Sequence, residues 1–140
     1  MRPEAAAWMR LARVYGKLSR QMAEHLRDFG LSPAQFDVLA QVGAAEGRTQ
    51  QELAKALLTT KGNVCQLLDR MEASGLLRRQ QDGRVNRLFL TPAGHARWRT
   101  AVPAHEAWLA AHLSVLSAAE RTELARLLRR LDHRLGDGPP

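Results

Sequence analysis

Hydrophobic positions in this chain recur mostly at helical spacing, and the interruptions fall at recognisable start and stop residues. The first apolar series is Trp8, Leu11, Tyr15, Leu18, Met22 and Phe29, close to a seven-residue repeat. It predicts a helix from about Glu4 to Phe29, roughly 39 Å long at ~1.5 Å per residue, packed lengthwise against another helix. A second helix is expected over Pro33 to Glu46, with Phe36, Leu39, Ala40 and Val42–Gly43 inward. A short third is expected over Gln50 to Leu57 and a fourth over Lys61 to Ser74. The fourth carries Val64, Leu67, Leu68 and Met71 at i, i+3, i+4 and i+7, a single apolar stripe.

Helix boundaries are written in capping residues. Ser32-Pro33-Ala34-Gln35, Thr49-Gln50-Gln51-Glu52 and Ser117-Ala118-Ala119-Glu120 each place a hydroxyl three residues before a Gln or Glu, the reciprocal capping box. Thr91-Pro92 marks a further start, Thr59 or Thr60 can cap the fourth helix, and Gly30, Gly47 and Gly75 can close helices. Between Ser74 and Thr91 the period changes to two. Leu76 to Gln80 and Val85 to Leu90 flank Asp82-Gly83, a hairpin signal. In the second run Asn86, Leu88 and Leu90 share one face, and Val85, Arg87 and Phe89 the other. Two long helices follow, Pro92 to Leu116 with a kink expected at Pro103, and Ala118 to Leu135. The tail, residues 137–140, is expected to be disordered.

The fold class is therefore mainly α with one small β-hairpin. Helices two to four and the hairpin, residues 31–92, form a winged helix-turn-helix. Residues 1–30 and 93–136 form a helical region whose apolar surface finds no partner inside that lobe. The C-terminal helix presents Leu124, Leu127, Leu128, Leu131 and Leu135 on one face, and the helix before it Trp98, Val102, Leu109, Leu113 and Leu116. Extended apolar surface is rare on monomers, so these helices are expected to bury it in a homodimer.

Charge narrows the partner. Among 140 residues, Lys plus Arg is 21 and Asp plus Glu is 14, a formal +7. Such a balance favours a polyanion, nucleic acid first. The outward side of the fourth helix offers Asn63, Gln66 and Arg70, side chains able to pair two-pronged with adenine or guanine edges. Thr59, Thr60 and Lys61 at its start suit phosphate. The hairpin adds Arg84 and Arg87, with Arg78 and Arg79 on its first strand. An arginine at the tip suits the negative potential of the minor groove, and Asp82 is expected to pair with Arg84 and orient it.

Five segments, read in order, carry a resemblance: Leu31 to Leu39, Gln51-Glu52-Leu53-Ala54, Leu68 to Leu77, Asp82-Gly83-Arg84, and Leu90-Thr91-Pro92-Ala93-Gly94. Together they resemble the MarR family of bacterial transcriptional regulators. The resemblance implies a homodimer on double-stranded DNA with a pseudo-palindromic operator, and repression relieved by a small ligand. It implies that helix four reads the major groove and that Asp82 and Arg84 belong to the wing. The stretch from Gly75 to Asp82 is a few residues shorter than is usual for the family, so a stubby wing is expected.

Other chemistry has little footing. No Gly-rich phosphate loop, His-Glu-x-x-His helix or Gly-x-Ser-x-Gly elbow is present, so no enzyme and no cofactor are expected. The single cysteine, Cys65, excludes an intrachain disulfide framework and is expected to be a small half-buried hydrophobe. His105 and His112 lie two turns apart, not at the i, i+4 spacing of helical metal ligands, and no metal is expected. No run approaches a membrane span or a signal sequence, which points to a cytoplasmic protein. Trp8, Tyr15 and Trp98 are candidates to line a pocket for a small aromatic effector. Two alternatives remain beside a ligand-responsive regulator: a helical protein-interaction module and a ligand-insensitive architectural DNA binder.

Overall fold

The computed structural model describes residues 1–58, 60 and 62–136. Its elements run α1 (Pro3–Arg27), α2 (Pro33–Ala44), α3 (Gln50–Ala56), α4 (Val64–Ala73), β1 (Leu77–Asp82), β2 (Val85–Leu90), α5 (Pro92–His112) and α6 (Ala118–Leu135). This is the mainly helical chain with one hairpin that the sequence predicts. All three capping boxes form, with Ser32, Thr49 and Ser117 each accepting from the backbone three residues on. The hydrogen bonds Gly30 N to Arg27 O with Leu31 N to Leu26 O, and Gly75 N to Glu72 O with Leu76 N to Met71 O, close α1 and α4 as Schellman motifs.

The chain divides into two compact units, Met1–Pro103 and Ala104–Pro140. The division falls at Pro103, yet α5 is helical on both sides of it. The first unit holds the core: Leu26, Leu31, Phe36, Val38, Leu39, Val42, Leu53, Leu68, Met71, Leu76, Leu77, Leu88, Leu90 and Ala101 are all buried. Leu26 and Ala101 come from α1 and α5, so the core extends beyond residues 31–92 at both ends. The front of α1 is not covered: Trp8, Leu11 and Tyr15 are exposed. In the second unit α6 has no buried residue. The expected disordered tail, 137–140, lies outside the described residues.

β1 and β2 pair antiparallel, with Leu77 opposite Leu90 and Asp82 opposite Val85. This register puts Leu77, Arg79, Leu88 and Leu90 on the face toward the core, and Arg78, Asp82, Arg87 and Phe89 on the other. The turn residues are Gly83 and Arg84, one position later than the Asp82-Gly83 pair suggests. Only Gly83 has positive φ, +64°, as a type II′ turn requires at its first central position. The loop before α3 backs the wing: Gly47 N donates to Leu88 O and Leu88 N to Arg48 O, at 2.8 and 3.0 Å.

Asp37 joins α2 to the turn between α3 and α4. It is buried, and its carboxylate accepts from Leu58 N at 3.0 Å, from Thr60 N at 3.2 Å and from the Thr60 hydroxyl at 3.0 Å. A carboxylate with several donors suits an irregular turn, whose N–H groups have no helical partners. Asp37→Ala would strand these donors, and we expect a loss of about 2–4 kcal/mol of stability in urea denaturation. Asp37→Asn, which keeps one acceptor oxygen, should lose less.

The caps also set an acid response. Glu52 is held below its ordinary 4.5 by hydrogen bonds from Thr49, and Glu120 by hydrogen bonds from Ser117. Their stabilisation is complete above about pH 4.5 and is lost as pH falls through the depressed folded values. Thermal midpoints recorded from pH 7 to pH 3 should drop below that point, and Glu52→Gln with Glu120→Gln should flatten the profile; an unchanged profile would contradict this assignment.

Candidate nucleic-acid interface

The α4 helix has an anchored back and an open front. Leu68 and Met71 are fully buried, and Val64 and Leu67 are half-buried against the same core. Gln66 and Arg70 are exposed on the other side. Among the described residues nothing bonds either side chain, so their donors face outward unspent. That is the arrangement the apolar stripe predicts.

The start of α4 differs from expectation. The helix begins at Val64, not Lys61, because Gly62 takes φ +105° and interrupts any earlier helical turn. Asn63 is consequently the N-cap. It is exposed, but its Oδ1 accepts from Gln66 N at 2.9 Å, so the amide is not free for a two-pronged base contact. Thr60 is likewise committed, its N–H and hydroxyl both turned to Asp37 rather than outward to phosphate. Thr59 and Lys61 lie outside the described residues. Cys65 is exposed, not half-buried: the later helix start puts it in the first turn, where its Sγ accepts from Gln50 Nε2 on α3 at 2.8 Å. Gln50, Gln51, Ala54, Gly62, Asn63, Val64 and Cys65 line an open groove of about 440 Å³ between α3 and α4. Nothing in the spacing of the α3 glutamines separates them in sequence from ordinary capping-box residues.

The wing arginines divide sharply. Arg84 sits in the two-residue turn at the tip, exposed, and has no partner among the described residues. Asp82 pairs with Arg87 at 2.7 Å, not with Arg84. The antiparallel register explains this correction: Asp82 and Arg87 are diagonal neighbours on one face, whereas Arg84 lies in the turn. Arg87 Nη1 also donates to Gly47 O at 2.9 Å, which ties β2 to the loop before α3. The Asp82 carboxylate raises the Arg87 guanidinium's affinity for its proton. Arg78 lies over the Phe89 ring, 4.4 Å from its centre. Arg79 turns inward to α4, where its guanidinium meets Asp69 and Glu72.

The aromatic candidates occupy different surroundings. Trp98 packs so closely on α2 that a Cβ at Gly43 would lie 2.3 Å from its ring. Trp8 and Tyr15 are 66% and 56% exposed on α1. His112 stacks on Trp108 with ring centres 3.9 Å apart. No helix among the described residues is long and apolar enough to cross a membrane.

Comparison with known proteins agrees with this geometry. A family model described as MarR family matches residues 29–87. The chain is 33% identical over 125 residues to an HTH-type transcriptional regulator of Bacillus cereus, covering 89% of this chain and 85% of that protein. It is 27% identical over 124 residues to the HTH-type transcriptional repressor MdtR of Bacillus subtilis, covering 86% and 80%. Among solved structures it is similar to AbsC, a MarR family transcriptional regulator from Streptomyces coelicolor, with a TM-score of 0.86 and 28% identity over 96% and 95% of the two chains. These relatives are regulators, not enzymes. The family match, the relatives in sequence and the solved structures of the same fold together place the chain in the MarR family of DNA-binding transcriptional regulators.

Proposed function

We propose that the protein is a homodimeric repressor that reads a two-fold-symmetric duplex site. The observation that carries this reading is the two-sidedness of α4: Leu68 and Met71 are wholly buried while Gln66 and Arg70 stand exposed and unpaired among the described residues. Gln66 and Arg70 read base edges in the major groove, Gln by a paired donor and acceptor, Arg by its fork. Arg84 reaches the adjacent minor groove from the wing tip. Residues near the start of α4 fix its register on the backbone, and Asn63 contributes by capping the helix.

Exposed apolar surface supports the dimer. On α1, Trp8, Met9, Leu11, Val14 and Tyr15 are between 39% and 66% exposed. On α6, Leu124, Leu127, Leu128, Leu131 and Leu135 are between 38% and 71% exposed. Water against two such faces is unfavourable, and a two-fold mate removes it from both protomers at once. We assign Trp8 and Tyr15 to that mate rather than to an aromatic effector. Repression is supported by the relative named a transcriptional repressor and requires only that a bound dimer occupy a promoter.

Selection of bound sequences from random duplexes should return half-sites related by two-fold symmetry and spaced about one helical turn apart. Arg70→Ala and Gln66→Ala should each weaken binding to that site by about 5- to 150-fold and relax the preference at one base position, in titrations at fixed salt. No symmetric motif, or full affinity in both variants, would refute the reading. Leu127→Glu with Leu131→Glu should convert the dimer to a monomer in light scattering and weaken operator binding; a dimer that survives would place the interface elsewhere.

A further inference from the structure

Arg79 is the most heavily committed side chain on the wing. Its backbone N–H donates to Glu72 Oε2 at 2.9 Å, and its Nε and Nη2 donate to Glu72 Oε1 at 3.3 and 3.1 Å. The same Nη2 donates to Asp69 Oδ1. The side chain is only 20% exposed, whereas Asp69 is 64% and Glu72 40% exposed. Asp69 and Glu72 are i, i+3 neighbours, one turn of α4 apart on the same face. A single planar guanidinium therefore holds α4 at its middle and near its end.

Holding two points one turn apart fixes the roll of a helix about its own axis. Each residue step along a helix is ~100° of rotation, so a modest change of roll turns Gln66 and Arg70 away from the bases. Buried Leu68 and Met71 resist rotation from behind, but apolar contacts are not directional. The Arg79 fork is directional, and it springs from β1, three residues after the Schellman closure of α4 at Gly75–Leu76.

Resting on the DNA-reading assignment above, we propose that Arg79 is a positioning residue for sequence recognition: it sets the roll of α4 against the wing and touches no DNA. The two carboxylates are its counterpart. Asp69 and Glu72 stand on the reading helix, where a phosphate would repel them, and their task is to receive Arg79. Selectivity depends on the roll, because only a correctly turned helix matches base edges. Binding to arbitrary duplex, which is electrostatic, does not.

The test separates selectivity from charge. Asp69→Asn with Glu72→Gln removes the partners and frees Arg79. We expect the ratio of operator affinity to random-duplex affinity to fall at least tenfold, while random-duplex affinity stays level or tightens. If the carboxylates merely repel DNA, both affinities rise together and the ratio holds, which overturns the proposal. Arg79→Met should lower the same ratio while leaving the salt slope on random duplex unchanged. A slope reduced by about one unit would reveal a direct phosphate contact and overturn it as well. Arg79→Lys, which keeps the charge but not the fork, should fall between the unmodified protein and Arg79→Met. Thermal midpoints recorded alongside confirm that each variant is folded at the assay temperature, and Arg79→Lys serves if Arg79→Met is not. An unmodified protein that selects no duplex sequence refutes the regulator reading, and the strut with it; a selective protein whose variants keep their selectivity refutes the strut alone.

Discussion

A carboxylate buried between two helices is an unfavourable thing unless donors surround it, and the DNA-binding lobe is organised around one. Asp37 projects from α2 and gathers the Leu58 and Thr60 N–H groups and the Thr60 hydroxyl. Those groups belong to the turn that must leave α3 and enter α4 at a fixed angle. Without an acceptor there, the turn would have to open to water and the approach of α4 to the core would loosen. Everything outward of the turn depends on it: the N-cap at Asn63, the burial of Leu68 and Met71, and hence the direction of Gln66 and Arg70.

The wing shows how a basic surface divides its labour. A formal +7 makes the protein attractive to a polyanion, but net charge does not say which side chains are available. Arg79 is bound to α4, Arg87 to Asp82 and Gly47, and Arg78 lies over Phe89. Arg84 remains at the tip. Intramolecular pairing holds the short hairpin in place at the cost of some of its positive surface. Two six-residue strands alone are marginally stable, and the arginine contacts with the 47–49 loop give the wing a base.

Close backbone approach beneath the wing completes the scaffold. A Cβ on Gly94 would lie 2.0 Å from the Leu76 carbonyl oxygen, so the start of α5 rests directly on the entrance to β1. Thr91 N donates to that same carbonyl. The segment Leu90 to Gly94, which resembles the family in sequence, owes its composition here to this contact: a hydroxyl to cap α5 and a residue with no side chain where two backbones meet. Glu46 adds a second tie: its carboxylate accepts from Leu90 N at 2.8 Å and lies 3.1 Å from His95 Nε2.

Sequence alone determined what depends on neighbours a few residues away. The helix order, the three capping boxes, the apolar stripe of α4 and the alternation of β2 follow from local hydrogen bonding and periodicity. The family resemblance came from the same segments. The tertiary structure decided what depends on partners distant along the chain: Asp37 with Thr60 across 23 residues, Arg87 with Gly47 across 40, and Arg79 with Asp69 across 10. These choices turn a threonine expected at phosphate into a turn anchor and two wing arginines into internal ties. They also place Cys65 in the open beside Gln50 of α3, a neighbour fifteen residues away in sequence. A side chain's type states which bonds it can make, but only packing decides which partner is close enough to take them.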